Sequence, residues 1–162
     1  MDPMVWRNTM GQFATGVTVI TTLDQEGNPL GMTANAFTSL SLDPPMVLIC
    51  VDRHSATLTE LAATGKYCVN ILEKSQESIS RQFAKKGGNE KFLGIAYHAG
   101  ETGLPVLEGC LTSVECVVED VLEGGDHLVL LGRGLHIHTP EGAAEPLLFY
   151  RGKYAALDKA GA

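Results

Sequence analysis

Strand-length runs separated by short turn signals limit the folds that this chain can adopt. Residues 17–22 form a β-branched run, and the polar turn at 24–29 leads into a second run that begins near Leu30, as in a β-hairpin. Further strand-length runs follow at 46–51, 66–72, 111–120, 127–137 and 147–150. A doubly wound parallel sheet needs a helix after nearly every strand, and this order of runs does not provide them. The sequence therefore predicts a single domain over residues 1–162 that is mainly β with inserted helices, arranged as a closed or nearly closed antiparallel barrel.

Helices are predicted at residues 3–14, from Ala56 to about residue 64, and at 75–86. Residues 87–103 are rich in glycine and charge and are predicted to form a loop, which is unusually long for a compact domain unless it serves a site. Gly132 and Gly134 lie inside the 127–137 run and predict a bulge or a sharp bend in that strand.

The stretch 31–57 contains the strongest local signal for a binding site. Its first part alternates small polar and apolar residues, and the turn Asp43-Pro44-Pro45 separates it from the apolar run 46–51, which predicts a strand buried on both faces. Ser55 is predicted to cap the helix that follows. With Arg53 at this strand–helix junction, the free N–H groups of the first helical turn form a candidate anion site. An ordinary junction, in which the serine has only the role of a cap, is the alternative.

Charge and cysteine usage exclude some classes of function. The formal net charge of −7 argues against a nucleic-acid-binding surface. No apolar run approaches the roughly 20 residues that a membrane-spanning helix needs. The four cysteines form no CxxC pair, and free thiols in a cytoplasmic protein are expected.

Familiar catalytic motifs are absent, and the remaining candidates are weak when taken singly. There is no GxGxxG, P-loop or HExxH motif. His136 and His138 lie on one face of a strand, but hydrogen-bonded or exposed histidines are favoured there over a metal site. His127 directly follows a Gly-Asp turn and is placed to touch a ligand, with Asp126 able to orient it, although a surface histidine is the simpler interpretation. The aromatic and cationic residues at 150–154 could clamp a nucleotide or simply end a strand.

Five motifs in a fixed order join these signals. They are MGQFATGVTVITT at 10–22, GMTANAFTSLSLDPPMVLICVDRHSAT at 31–57, KYCVNIL at 66–72, GDH at 125–127 and YRG at 150–152. Together they resemble the flavin reductase family, which has the FMN-binding split-barrel fold. Within that family the chain is similar to the small reductase components of two-component flavin-dependent monooxygenases.

The resemblance implies a homodimer that holds flavin near the subunit interface, and it implies positions for both ligands. The positions implied to line the isoalloxazine are Thr33, Ala34, Asn35 and Ala36. Those implied near the ribityl-phosphate are Ser39, Ser41, Arg53, Ser55 and Thr57, and further flavin-binding positions are Cys50, Val51, Asp52, Ala56, Ala84 and Lys85. The positions implied to face the nicotinamide dinucleotide are His127, Tyr150, Arg151 and Gly152. The resemblance assigns no catalytic side chain and no metal ligand.

The implied activity is that of a cytoplasmic NAD(P)H:flavin oxidoreductase. Hydride would pass from NADH or NADPH to FMN or FAD, and the reduced flavin would serve a partner monooxygenase. A flavin carrier or electron-transfer protein, or a ferric or quinone reductase, on the same fold is the alternative. The choice between FMN and FAD, and between NADH and NADPH, stays open.

Overall fold

The structure is a computed structural model that describes residues 1–142 and 144–157. The α-helices are α1 (Pro3–Met10), α2 (Ala56–Thr64) and α3 (Glu77–Phe83). The first six strands are β1 (Thr15–Gly16), β2 (Thr18–Leu23), β3 (Pro29–Ala34), β4 (Phe37–Leu42), β5 (Pro45–Asp52) and β6 (Lys66–Ile71). The remaining strands are β7 (Tyr97–Ala99), β8 (Pro105–Leu107), β9 (Thr112–Gly124), β10 (His127–His138), β11 (Leu148–Tyr150) and β12 (Lys153–Ala155).

Seven strands form one antiparallel sheet in the order β3-β2-β6-β9-β10-β5-β4. Two small sheets, β1-β11-β12 and β7-β8, lie beside it. The prediction of a mainly β fold with inserted helices is confirmed. Strands β3 and β4 form the two edges, so the hydrogen-bonded ladder of the described residues is not a closed barrel.

The main core is shared by the large sheet and α2. Strands β2, β3, β5, β6, β9 and β10 all contribute side chains to it. Leu58 and Leu61 lie one turn apart on α2 and pack on the same cluster, which includes the fully buried Tyr67 and Val69 of β6. Burying each leucine contributes about 1.5–3 kcal/mol to the free energy of folding. This packing fixes the N-terminus of α2 beside the end of β5.

Glycines bend the long strand β10 as its sequence predicts. The register with β9 shifts between Leu131 and Gly132 and again between Gly134 and His136. Gly132 is buried, and a Cβ at this position would overlap the hydroxyl group of Tyr67. The glycine therefore makes room for a tyrosine in the core as well as allowing the bulge.

The structure corrects several predicted boundaries. Helix α1 ends at Met10, and the predicted helix 75–86 is a 3₁₀ turn (Lys74–Gln76) followed by α3. The half-polar stretch 31–41 belongs to two strands, β3 and β4, rather than to one. Residues 35–36 connect them and carry the chain from one edge of the large sheet to the other. The loop 87–103 contains a 3₁₀ turn (Asn89–Phe92) and strand β7.

Strand β5 is buried on one face rather than on both. Ile49 and Val51 are fully buried, whereas Met46, Leu48 and Cys50 are half-buried. Alternate residues of a strand face opposite sides of a sheet, and the second side of β5 is not covered by the described residues. Within those residues no helix has the length and apolar character needed to cross a bilayer.

Candidate active site

A cleft of about 720 Å³ lies between the N-terminus of α2, strand β3 and the segment that follows α3. Its lining residues are Met32, Thr33, Asp52, His54, Ser55, Ala56, Thr57, Phe83, Ala84, Lys85, Lys86, Gly87 and Lys91. Seven of the predicted flavin positions are among these residues: Thr33, Asp52, Ser55, Ala56, Thr57, Ala84 and Lys85. The fold therefore brings together three separate parts of the sequence that were assigned to one site.

The N-terminus of α2 offers unused hydrogen-bond donors to this cleft. The backbone N–H groups of Ala56 and Thr57 make no hydrogen bond within the described residues. Thr57 is only 4% exposed, and its hydroxyl group has no partner there either. Unused N–H groups at the positive end of a helix dipole favour an anion.

The prediction that Ser55 caps α2 is correct in position, but the expected capping hydrogen bond of its side chain is absent. Ser55 occupies the N-cap position, but its side chain accepts no hydrogen bond from the first helical turn. Its hydroxyl group instead donates to the Met32 sulfur at 3.6 Å. This arrangement leaves the first-turn N–H groups free for a ligand.

Thr33 connects the cleft to the C-terminal strands. Its hydroxyl donates to the Ser80 carbonyl of α3 at 2.6 Å, and the Ser80 hydroxyl lies 2.7 Å from the Tyr154 hydroxyl on β12. The Arg81 guanidinium lies 4.7 Å from the centre of the Tyr154 ring. Helix α3 is thus held between β3 and β12, which fixes one wall of the cleft.

Arg53 does not line the cleft; it holds the turn between β9 and β10. Its guanidinium pairs with Glu123, and its Nε donates to the Gly125 carbonyl at 2.8 Å. Its backbone N–H donates to the Asp126 carbonyl at 3.1 Å. An arginine beside the strand–helix junction was expected to meet an anion, but this guanidinium already has partners in a turn far away in the sequence.

His127 lies next to the cleft because it pairs across strands with Asp52, the last residue of β5. Its Nδ1 lies 2.7 Å from the Asp126 carboxylate, so the expected orienting role of Asp126 is present. This hydrogen bond is the main reason that the pKa of Asp126 lies below its usual value. The half-buried ring is thereby fixed at the mouth of β10.

The turn at Tyr150, Arg151 and Gly152 joins β11 to β12 and packs on the end of α1. Arg151 and Gly152 have φ angles of 50° and 76°, and the Arg151 N–H donates to the Gly11 carbonyl at 2.9 Å. The Arg151 guanidinium donates to Gln12 Oε1 at 2.6 and 2.8 Å and lies 5.3 Å from the Tyr150 ring centre. None of these contacts involves the cleft or His127.

The other predicted flavin positions lie outside the cleft. Ala34 and Val51 are buried in the main core, and the half-buried Cys50 has a thiol whose pKa is raised by burial. Asn35 donates to the Thr15 hydroxyl at 3.3 Å and lines a second cavity of about 370 Å³. Ala36 and Ser39 are exposed and Ser41 is half-buried, at or near the edge strand β4.

Sequence reasoning did not place Lys91, Lys86 or His54 at the cleft. Lys91 belongs to the segment 87–103 that was predicted to be a loop, whereas Lys86 was placed at the end of the predicted helix 75–86. Lys91 is 8% exposed. Their charge was visible in the sequence, but their position depends on the packing of α3.

His136 and His138, for which hydrogen bonding or exposure was favoured over metal binding, differ from each other in their surroundings. His138 Nε2 lies 2.7 Å from the buried Glu115 carboxylate, as that interpretation expected, while His136 is exposed. Within residues 1–142 and 144–157, no group of three or more histidine, cysteine, aspartate or glutamate side chains is placed to hold a metal ion.

Comparison with known proteins gives a consistent result over almost the whole chain. The model of the flavin reductase like domain matches residues 10–158. The chain is 40% identical over 159 residues to the reductase subunit HsaB of a flavin-dependent monooxygenase from Mycobacterium tuberculosis, covering 98% of this chain and 84% of that protein. The crystal structure of a nitrilotriacetate monooxygenase component B homologue from Mycobacterium thermoresistibile superposes with a TM-score of 0.93 at 40% identity, covering 98% and 88% of the two chains. The NADH:FAD oxidoreductase SgcE6 of Streptomyces globisporus, in complex with NAD and FAD fragments, superposes with a TM-score of 0.93 at 36% identity, covering 99% and 96%.

Proposed function

Because this chain belongs to the flavin reductase like domain family, we propose that it is an NAD(P)H:flavin oxidoreductase. Hydride passes from NADH or NADPH to FMN or FAD, and the reduced flavin serves a partner monooxygenase. The match to reductase subunits of monooxygenases and to an NADH:FAD oxidoreductase, each over nearly the whole chain, carries this conclusion.

The residues of the cleft suit the phosphate of a flavin. Two free N–H groups of α2, the Thr57 hydroxyl and the ammonium group of the buried Lys91 border one cavity. The volume of about 720 Å³ lies in the range of ligand pockets in proteins, roughly 300–1,000 Å³. A negatively charged ligand compensates the free N–H groups and the Thr57 hydroxyl, which otherwise lack partners among the described residues, and it also offsets the ammonium charge.

The chain contributes binding and orientation, and no side chain has to act as acid, base or nucleophile. A bound flavin supplies the hydride chemistry. The α2 junction and the segment after α3 hold the flavin, and His127, oriented by Asp126, faces the nicotinamide. Tyr150, Arg151 and Gly152 are assigned to the same dinucleotide because of the family resemblance.

A homodimer on a split barrel is the assembly that we infer. Helix α1 has no buried residue, although the exposed fractions of Met4, Val5 and Trp6 are 60%, 58% and 53%. Leu42 on β4 and Ile137 on β10 are 97% and 73% exposed. A second copy would bury both surfaces. The common core of six strands supports a sheet that curls toward a barrel.

We also infer that residues 1–162 act as a single domain in the cytoplasm. The family model covers 10–158, and the four cysteines at 50, 68, 110 and 116 are free thiols. Free thiols are typical of a reducing compartment.

The test is oxidation of NADH and of NADPH by the purified protein in air, with no added flavin, with FMN and with FAD. Rapid oxidation that saturates with added flavin is expected, and it reveals both preferences. A protein that retains flavin and oxidises neither nucleotide would be a carrier, and the proposal would be wrong.

A further inference from the structure

Lys91 is a buried lysine in the wall of the cleft. It is 8% exposed, and lysine is almost never buried to this extent unless its charge is paired. Its Nζ donates to the Phe83 carbonyl at 3.4 Å and to the Lys85 carbonyl at 3.3 Å. An ammonium group has three N–H donors, so one has no partner among the described residues.

The fold places Lys91 at the end of α3, where backbone carbonyl groups need donors. The last turn of a helix leaves carbonyls without partners, and Lys91 donates to the carbonyl of Phe83, the last residue of α3, and to that of Lys85, two residues beyond it. The Gln82 amide donates to the Lys91 carbonyl at 2.7 Å, which fixes the backbone of this residue. Lys91 thus holds the segment 83–87, which forms part of the cleft wall.

Within the described residues no carboxylate forms an ion pair with Lys91, and the charge of the adjacent Glu90 compensates its ammonium group only in part. The adjacent Glu90 uses both carboxylate oxygens to accept the Gly88 N–H, at 2.9 and 3.0 Å. Gly87, which has a φ of 149°, leaves room for that carboxylate, since a Cβ at Gly87 would overlap it. Burial lowers the pKa of Lys91 by more than the Glu90 charge raises it, which indicates a cation that lacks full compensation.

The incompletely compensated Lys91 and the residues that carry the free donors of α2 line the same cavity. Lys91, Ala56 and Thr57 all line it, and they approach it from different segments of the chain. A monoanion or dianion between them would accept the two backbone N–H groups, the Thr57 hydroxyl and the third ammonium N–H. Charge-assisted hydrogen bonds of this kind are the strong ones in proteins.

We propose that Lys91 binds the phosphate group of the flavin from the side opposite to the α2 N-terminus, while it holds segment 83–87 in place. The proposal rests on the function inferred above. According to this proposal, the preference for phosphorylated flavin over riboflavin comes from a lysine that lies outside the recognised sequence motifs.

The test compares dissociation constants for FMN and riboflavin, measured by fluorescence titration, in the wild type and in Lys91→Gln. A glutamine amide retains donors for the two carbonyls but removes the charge. FMN binding should weaken roughly 10- to 100-fold, the value of a charge-assisted hydrogen bond, and riboflavin binding less than about threefold. Lys66→Gln, the same change at an exposed lysine outside the cleft, should alter neither constant.

Equal weakening of FMN and riboflavin binding in Lys91→Gln would mean that the lysine is structural, and the proposal would be wrong. No weakening of either would also overturn it. If Lys91→Gln does not fold, the wild type still decides: it must prefer FMN to riboflavin by at least about tenfold, and a ratio near one contradicts the proposal. A wild type that binds no flavin at all would contradict the proposed function itself, which separates the two failures.

Discussion

Replacing Glu115 with glutamine should destabilise the fold strongly at neutral pH and much less in acid. The Glu115 side chain has no exposed surface. Its carboxylate accepts the N–H groups of Glu101 and Thr102, each at 2.8 Å, the Thr102 hydroxyl, and His138 Nε2 at 2.7 Å. These bonds attach the turn between β7 and β8 to the large sheet.

The magnitude follows from the number of bonds. Glutamine keeps one carbonyl oxygen, but its NH₂ group replaces an oxygen that accepts two donors. A hydrogen bond to a charged group contributes about 1.5–3 kcal/mol, and donors left buried without partners add a further cost. Glu115→Gln should therefore lower the free energy of unfolding by about 3–5 kcal/mol at pH 7.

The pH dependence has a definite sign. Burial by itself raises the pKa of Glu115, but hydrogen bonds from Thr102, His138 and the backbone outweigh it, so the folded-state pKa lies below its usual value. A lowered pKa stabilises the folded state above the unfolded-state pKa of about 4.3. That contribution is lost as the pH falls through the folded-state pKa, so the wild type and the variant should converge there.

Urea unfolding of both proteins at matched concentration, at several pH values between neutral and acid, measures the difference. A loss below about 0.5 kcal/mol at pH 7, or one that is the same at every pH, would show that the carboxylate is not the anchor described here. Glu119→Gln is the matched control on the exposed end of β9, where an ion pair with Arg133 contributes at most about 1 kcal/mol.

Three further outcomes are expected. His127→Ala should raise the KM for NAD(P)H about tenfold or more and leave the flavin dissociation constant unchanged, because the ring lies beside the cleft rather than in its lining; equal effects on both in steady-state kinetics and titration would remove this assignment. Gly132→Ala should lower the melting temperature by forcing Tyr67 to move, at about 1–3 kcal/mol, and an unchanged melting curve would contradict the packing. The Cys116 thiol should not react with a thiol reagent at pH 8 in the folded protein, because burial raises its pKa to about 12, whereas it should react after denaturation; fast reaction of the native thiol would show that the core is open.

The sequence was sufficient for elements with local start and stop signals. Ser55 and Gly65 bracket α2, and the helix runs between them as predicted, ending where Gly65 adopts a φ of 63°. The glycines of β10 predicted its bulges because bulges are a local backbone property. The alternating runs predicted antiparallel strands, since their period is also local.

Contacts between residues that are far apart in the chain could not be predicted from the sequence. Arg53 meets Glu123 and Gly125 some seventy residues later, and nothing in the local pattern distinguishes that role from anion binding. The partners of Lys91 are backbone carbonyls, which have no side-chain signature in the sequence. Ser55 occupied the predicted cap position, but the neighbour that its hydroxyl contacts is a methionine on another strand. For these three residues the sequence predicted the neighbourhood and the fold determined the contact.

The decisive measurement for the proposed function is the loss of the flavin's visible absorbance when the protein, loaded with FMN or FAD, is mixed with NADH and with NADPH in the absence of oxygen. Reduction of the flavin in a single exponential whose rate saturates with nucleotide is expected from a cleft that holds flavin beside a nicotinamide site. Flavin that binds the protein but keeps its absorbance with both nucleotides would contradict the assignment of this chain as a flavin reductase.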